Sequence, residues 1–184
     1  MKPLFLIGYM GCGKSTMGRT VGRMTGQQFI DLDHYIEARY CKTVKDIFAE
    51  KGEDGFRKIE RQMLHEVGAF EDVIVACGGG TPCFFDNMEY MNSCGRTVFL
   101  DASLDRLHSR LMRGRYKRPL IAGKSDEELR AFIIEALAAR RPFYERAGDR
   151  FEADLLENEC EIGETAGRFI RQFGLDAKQS DDER

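Results

Sequence analysis

A chain of 184 residues, 42% hydrophobic and 32% charged, carries enough apolar material for one core, and no repeat or linker-like block divides it. Its formal net charge of -3 argues against a broad nucleic-acid-binding face, and its six scattered cysteines include no C-x-x-C pair and no histidine/cysteine cluster at metal spacing. A structural zinc site and a disulfide framework are therefore not expected, nor is a membrane span, and a reduced cytoplasmic protein is.

Leu4-Phe5-Leu6-Ile7 is an apolar run stopped by Gly8, as in a central parallel strand covered on both faces; it is too short to span a membrane and leads into a glycine-rich loop. A helix is predicted from near Lys14 to about Gly26, followed by a short strand, "QFIDLD", closing on Asp31 and Asp33. Thr43 with Asp46 resembles a capping box before "VKDIFAEKG", with Gly52 as a stop, and "FRKIERQMLHEVGAF" has apolar residues at helical spacing. "DVIVAC" is a buried strand ending at Gly78-Gly79-Gly80; "RTVFLDA" is another, and "SLDRLHSRLM" a helix with Ser103 as N-cap. "RGRYKRPLIAGK" reads as a mobile loop, Ser125 caps a helix that Pro142 ends, "RFEADL" is a last strand and "IGETAGRFIRQF" a last helix. Residues 1–174 form one expected domain and residues 175–184 a disordered tail. Strands alternating with helices predict an α/β fold, a doubly wound three-layer α/β/α sandwich around a parallel sheet of five strands, with ligands at the strands' carboxyl ends.

"GYMGCGKS" fits G-x-x-x-x-G-K-[ST] at Gly8, Gly13, Lys14 and Ser15, with a strand before it and a helix after it. In that pattern backbone N–H groups surround phosphate oxygens, Lys14 reaches the β- and γ-phosphates and Ser15 offers its hydroxyl to Mg²⁺. Asp33 taken alone serves equally well as an N-cap. Beside a phosphate loop, Asp31 and Asp33 can divide two tasks, Asp31 supporting Mg²⁺ and Asp33 facing an acceptor hydroxyl. "VIVAC" lacks a terminal aspartate, which makes Asp31 the better metal candidate. Arg57 belongs either to a solvated basic face with Lys58 and Arg61 or to a carboxylate-gripping site. The three glycines are either a flexible turn or a place where backbone approaches a small ligand. Arg113, Arg115, Lys117 and above all Arg118 read as a solvated loop or as a lid bringing a cation to the transferring phosphate. Arg140 and Arg141 can merely complement a helix C-terminus.

Taken in order, "GYMGCGKST", "FIDLD", "DIFAEKGEDGFRKIE", "CGGGT", "KRPLIAG" and "RRPFY" resemble shikimate kinase, a family of small P-loop kinases, over about residues 3 to 173. The resemblance implies that Gly11, Cys12, Gly13, Lys14, Ser15 and Thr16 bind ATP phosphates, with Mg²⁺ at Ser15. It also implies that Asp33 is the base or orienting group at the acceptor hydroxyl, that Arg57, Gly79 and Arg140 hold shikimate, and that Arg118 is the lid cation over ATP. The acceptor region would span about 33–61 and the lid about 113–125, in a monomer whose partners are ATP and shikimate. The link "EADLLENECEIGE" is longer than the family's usual one, which leaves the adenine contact unplaced. Two other readings stay open: a kinase for gluconate or a nucleoside monophosphate, and a nucleotide-binding module without transfer activity, though none of Lys14, Ser15, Asp33 and the lid arginine is missing.

Overall fold

The computed structural model describes residues 1–114 and 121–176. Five parallel strands, β1 (Leu4–Ile7), β2 (Gln28–Asp31), β3 (Val73–Ala76), β4 (Arg96–Asp101) and β5 (Asp149–Glu152), form one sheet in the order β2-β3-β1-β4-β5. Phe5, Leu6 and Ile7 are fully buried, because β1 lies between β3 and β4 and both of its faces are covered. Among the described residues seven helices surround the sheet: α1 (Lys14–Thr25), α2 (Leu32–Tyr40), α3 (Val44–Val67), α4 (Asn87–Cys94), α5 (Leu104–Arg113), α6 (Asp126–Tyr144) and α7 (Glu159–Phe173). Because β2, β3 and β1 are neighbours and run the same way, the loops leaving their carboxyl ends emerge side by side. These loops carry Asp31, the three glycines and the phosphate loop, so the topology itself gathers the candidate residues.

Several boundaries differ from expectation. β2 stops at Asp31, which is the N-cap of α2, so Asp33 lies in the first turn of that helix and is neither a strand end nor its cap. Gly52 does break the helical path, at φ 68°, yet the chain resumes at once, and α3 runs on through two segments. Thr43 Oγ1 accepts the Asp46 N–H at 3.1 Å, as a cap should. Ser103 stands at the N-cap of α5 but makes no side-chain cap; instead its own N–H donates to Asp154 Oδ1 at 2.7 Å. α5 extends to Arg113, so that residue ends a helix rather than opening a loop.

Ser125 and Glu128 form a reciprocal capping box at the start of α6. Pro142 does not end this helix. Its ring removes one donor, but Glu145 N–H still reaches Arg141 O at 2.9 Å, so the last turn survives and Tyr144 stays in helical register with Arg140, four residues earlier. A short 3-10 turn (Thr81–Cys83) and α4 follow the glycines and had no clear signal in the sequence.

Candidate active site

The phosphate half is built from backbone. Gly13 is the N-cap of α1 at φ 101°, in the left-handed region that glycine tolerates, and a Cβ there would stand 2.3 Å from Leu156 Cδ1. Lys14 curls back over its own loop, with Nζ donating to Gly8 O at 2.8 Å and Tyr9 O at 3.0 Å. Ser15 Oγ donates to Asp31 Oδ2 at 2.7 Å, which brings the two residues assigned to Mg²⁺ into direct contact. Cys12 is 1% exposed, and its N–H donates to Tyr9 O at 3.2 Å, so its side chain takes no place in the phosphate cradle.

A cavity of about 510 Å³ continues outward from this loop, lined among others by Gly13, Lys14, Thr16, Arg113 and Leu156. Arg110 forms its wall: Nε donates to Glu157 Oε1 at 2.9 Å and Nη2 to Asp154 O at 2.7 Å. Arg113 pairs with the other oxygen of Glu157. The link whose contacts the sequence left unplaced therefore supplies Leu156 and Glu157 to the wall of this cavity. Arg118, together with Arg115 and Lys117, lies outside the described residues.

The acceptor half is built from side chains on separate elements. Arg57, on α3, is only 12% exposed, not part of a solvated face. Its Nη1 donates to Glu60 Oε2 at 2.8 Å, and its guanidinium lies 4.0 Å from the ring centroid of Phe84. Glu60 is itself buried and accepts from Thr81 Oγ1 at 2.6 Å, while Asn87 Nδ2 donates to Thr81 O at 2.9 Å. A buried polar chain thus ties Arg57 to the turn after the glycines. Sequence reasoning missed Glu60; its signal was a carboxylate three residues after Arg57 on an otherwise apolar helical face.

The three glycines admit these groups by lacking side chains. A Cβ on Gly78 would stand 3.3 Å from Asp33 Oδ1 and 3.1 Å from Glu60 Oε1. One on Gly80 would stand 2.8 Å from Arg57 Nη2, and one on Gly79 would stand 3.5 Å from both Arg140 Nη1 and Met10 N. Asp33, Arg57, Gly79 and Arg140 accordingly converge beside the phosphate loop. Tyr144 Oη donates to Gly79 O at 2.6 Å, a second contact not foreseen. The two arginines of "RRPFY" part company: Arg141 pairs with Asp101 at 3.1 Å, while Arg140 has no ion-pair partner among the described residues.

Asp33 has a carboxyl pKa pushed up to about 6, chiefly by burial, with the neighbouring Glu60 and Asp31 carboxylates adding to the rise and Lys14 opposing it. Among the described residues no group of three or more His, Cys, Asp or Glu gathers to hold a metal by itself. Ser15 and Asp31 instead present two oxygen donors beside the phosphate loop, a set that suits Mg²⁺ shared with substrate phosphates.

A glycine loop opening a helix, an acid pair and a second cluster of cations define a P-loop phosphotransferase with a small acceptor. Comparison with known proteins narrows this class. The shikimate kinase family model matches residues 10–171. A shikimate kinase of Phocaeicola vulgatus is 59% identical over 162 residues, covering 88% of this chain and 93% of that one. One from Parabacteroides distasonis is 51% identical over 93% of this chain and 99% of that one. The crystal structure of shikimate kinase from Bacteroides thetaiotaomicron superposes with a TM-score of 0.91 at 49% identity, covering 95% and 99% of the two chains. That of the Acinetobacter baumannii enzyme in complex with shikimate gives 0.80 at 29%, covering 94% and 93%. The chain belongs to the shikimate kinase family.

Proposed function

We propose that the chain transfers the γ-phosphoryl group of ATP to the 3-hydroxyl of shikimate, giving shikimate 3-phosphate and ADP on the route to chorismate and the aromatic amino acids. The observation that carries this reading is the convergence of Asp33, Arg57, Gly79 and Arg140 next to the phosphate loop. A carboxylated polyol needs such a set: two guanidiniums for its carboxylate, a backbone edge without a side chain, and a carboxylate for the reacting hydroxyl.

Gly11 to Thr16 would cradle the phosphates, with the nucleoside extending into the cavity bounded by Arg110, Arg113 and Leu156. Ser15 and Asp31 would hold Mg²⁺, which supplies neutralisation of phosphate charge when bound. Lys14 leaves the Gly8 and Tyr9 carbonyls for the β- and γ-phosphates, since anionic oxygens are the stronger acceptors. The acceptor oxygen forms the new P–O bond as the bond from γ-phosphorus to the bridging oxygen of ADP breaks, and Asp33 orients the hydroxyl and takes its proton. Arg118, outside the described residues, would supply a further cation to the transferring phosphate, while residues 33–61 form the acceptor region of a unit spanning 1–174. Catalysis is mostly positioning and charge neutralisation. No helix among the described residues is long and apolar enough to cross a membrane. We place the chain in the cytoplasm, where its six free thiols would stay reduced. We infer a monomer working on small molecules alone.

The test is release of ADP with shikimate, gluconate or a nucleoside monophosphate as acceptor. Release stimulated by shikimate far above the others is expected; equal or greater stimulation by another acceptor overturns the assignment. ATP binding with no stimulation by any of them would indicate a nucleotide-binding module.

A further inference from the structure

Tyr9 follows the first glycine of the phosphate loop, yet its side chain does not serve the phosphates. The ring is 1% exposed, and the guanidinium carbon of Arg140 lies 5.7 Å from its centroid, within range of a cation–π contact. Burial raises the Tyr9 pKa and the Arg140 charge opposes that rise, so the two side chains also meet electrostatically. The Tyr9 hydroxyl is buried without a hydrogen-bond partner among the described residues, which leaves the ring as the contacting part.

The backbone of the same residue is engaged elsewhere. Tyr9 O accepts from Lys14 Nζ at 3.0 Å and from Cys12 N–H at 3.2 Å, and Gly8 O accepts from Lys14 Nζ at 2.8 Å. Gly8 O also lies 3.7 Å from where a Cβ on Gly79 would stand. One peptide segment therefore touches the lysine that serves the nucleotide and abuts both Gly79 and Arg140. Phosphate oxygens that take the ammonium of Lys14 would deprive Tyr9 O and Gly8 O of their charged donor, leaving Tyr9 O with the Cys12 N–H alone.

We propose that Tyr9 is a positioning residue that couples the two substrates, passing the withdrawal of Lys14 by nucleotide phosphates to the guanidinium of Arg140. The proposal rests on the reading of Arg140 as a holder of the acceptor carboxylate. Two sites coupled through one element must influence each other by the same factor in both directions.

Isothermal titration of the full-length protein tests this with shikimate, in the presence and absence of Mg²⁺ and the non-hydrolysable β,γ-imido analogue of ATP. In the wild type the analogue is expected to tighten shikimate about fivefold or more, with shikimate tightening the analogue equally. Tyr9→Phe keeps the ring and is expected to keep the factor; Tyr9→Leu is expected to bring it close to one while the melting transition stays cooperative. If Y9L does not fold, Tyr9→Met, similar in reach but without a π face, takes its place. A wild type without coupling, a Y9L or Y9M protein with the wild-type factor, or a Y9F protein that loses as much as Y9L, overturns the proposal. Arg140→Ala separates the two readings: undiminished shikimate affinity in R140A removes the role given to Arg140, whereas weakened binding in R140A with intact coupling in Y9L removes only the role given to Tyr9.

Discussion

The two halves of the site are made of different materials. The candidate phosphate half is one continuous stretch, Gly8 to Thr16, that runs into the start of α1. The acceptor half takes Asp33 from α2, Arg57 and Glu60 from α3, Gly79 from the turn after β3 and Arg140 from α6. Phosphate looks alike in every nucleotide and can be met by a local motif, whereas a particular acceptor has to be met by side chains that only the folded chain brings together. The phosphate half should therefore fail through chemistry alone when altered, whereas changes in the acceptor half should also move the stability of the fold or the affinity for the acceptor.

A large loss is expected at Lys14. Lys14→Met should lower kcat by about 10³-fold, the scale of removing one preorganised charge contact from a transition state, with the melting temperature little changed; steady-state assay and calorimetry check it. Arg57→Ala comes next. Leaving Glu60 buried without its cation should destabilise the protein by about 3 kcal/mol, and denaturant unfolding alongside a higher KM for shikimate would show both effects. Glu60→Gln should cost about 1–2 kcal/mol, since an amide can still accept from Thr81 but pairs less strongly with Arg57. It should raise the KM for shikimate while leaving that for ATP alone, which separates it from a general packing defect.

The smallest effect is one of pH. A carboxyl raised to about 6 in the folded state favours folding at low pH, and that contribution is lost as pH rises from the ordinary aspartate range through about 6. Without metal or nucleotide, Asp33→Asn should therefore melt a few degrees above the wild type at pH 7.5. Its advantage should shrink towards pH 4. An advantage independent of pH would mean that Asp33 carries no such burden.

Legibility in the sequence followed the same division. "GYMGCGKST" announced its strand, its helix and its ligand class because every part of it is contiguous. β1, β3 and β4 were legible as short apolar runs and β2 and β5 from briefer signals around Phe29-Ile30 and Phe151, and the strand order then brought Asp31, the glycines and the loop together. Asp33, Arg57 and the three glycines could be read from the residues only beside an ordinary structural explanation for each, and it took the resemblance to single out Gly79 and Arg140. Glu60, Thr81 and Tyr144 stayed hidden because their task is to hold other residues, and a buried glutamate three positions after an arginine resembles a surface pair. Pro142 misled for a local reason: it forfeits one hydrogen bond, and the turn beyond it is kept by Glu145 and by the Tyr144 contact with Gly79.

The division between the halves is tested most directly at Asp33, through turnover and ATP affinity measured on the same preparation of Asp33→Asn. The amide keeps the shape of the side chain but cannot take the acceptor proton. kcat should fall by about 10²–10⁴-fold while the dissociation constant for ATP stays within about twofold of the wild type. A near-normal kcat, or a loss of ATP affinity as large as the loss of turnover, would contradict the placing of Asp33 in the acceptor half.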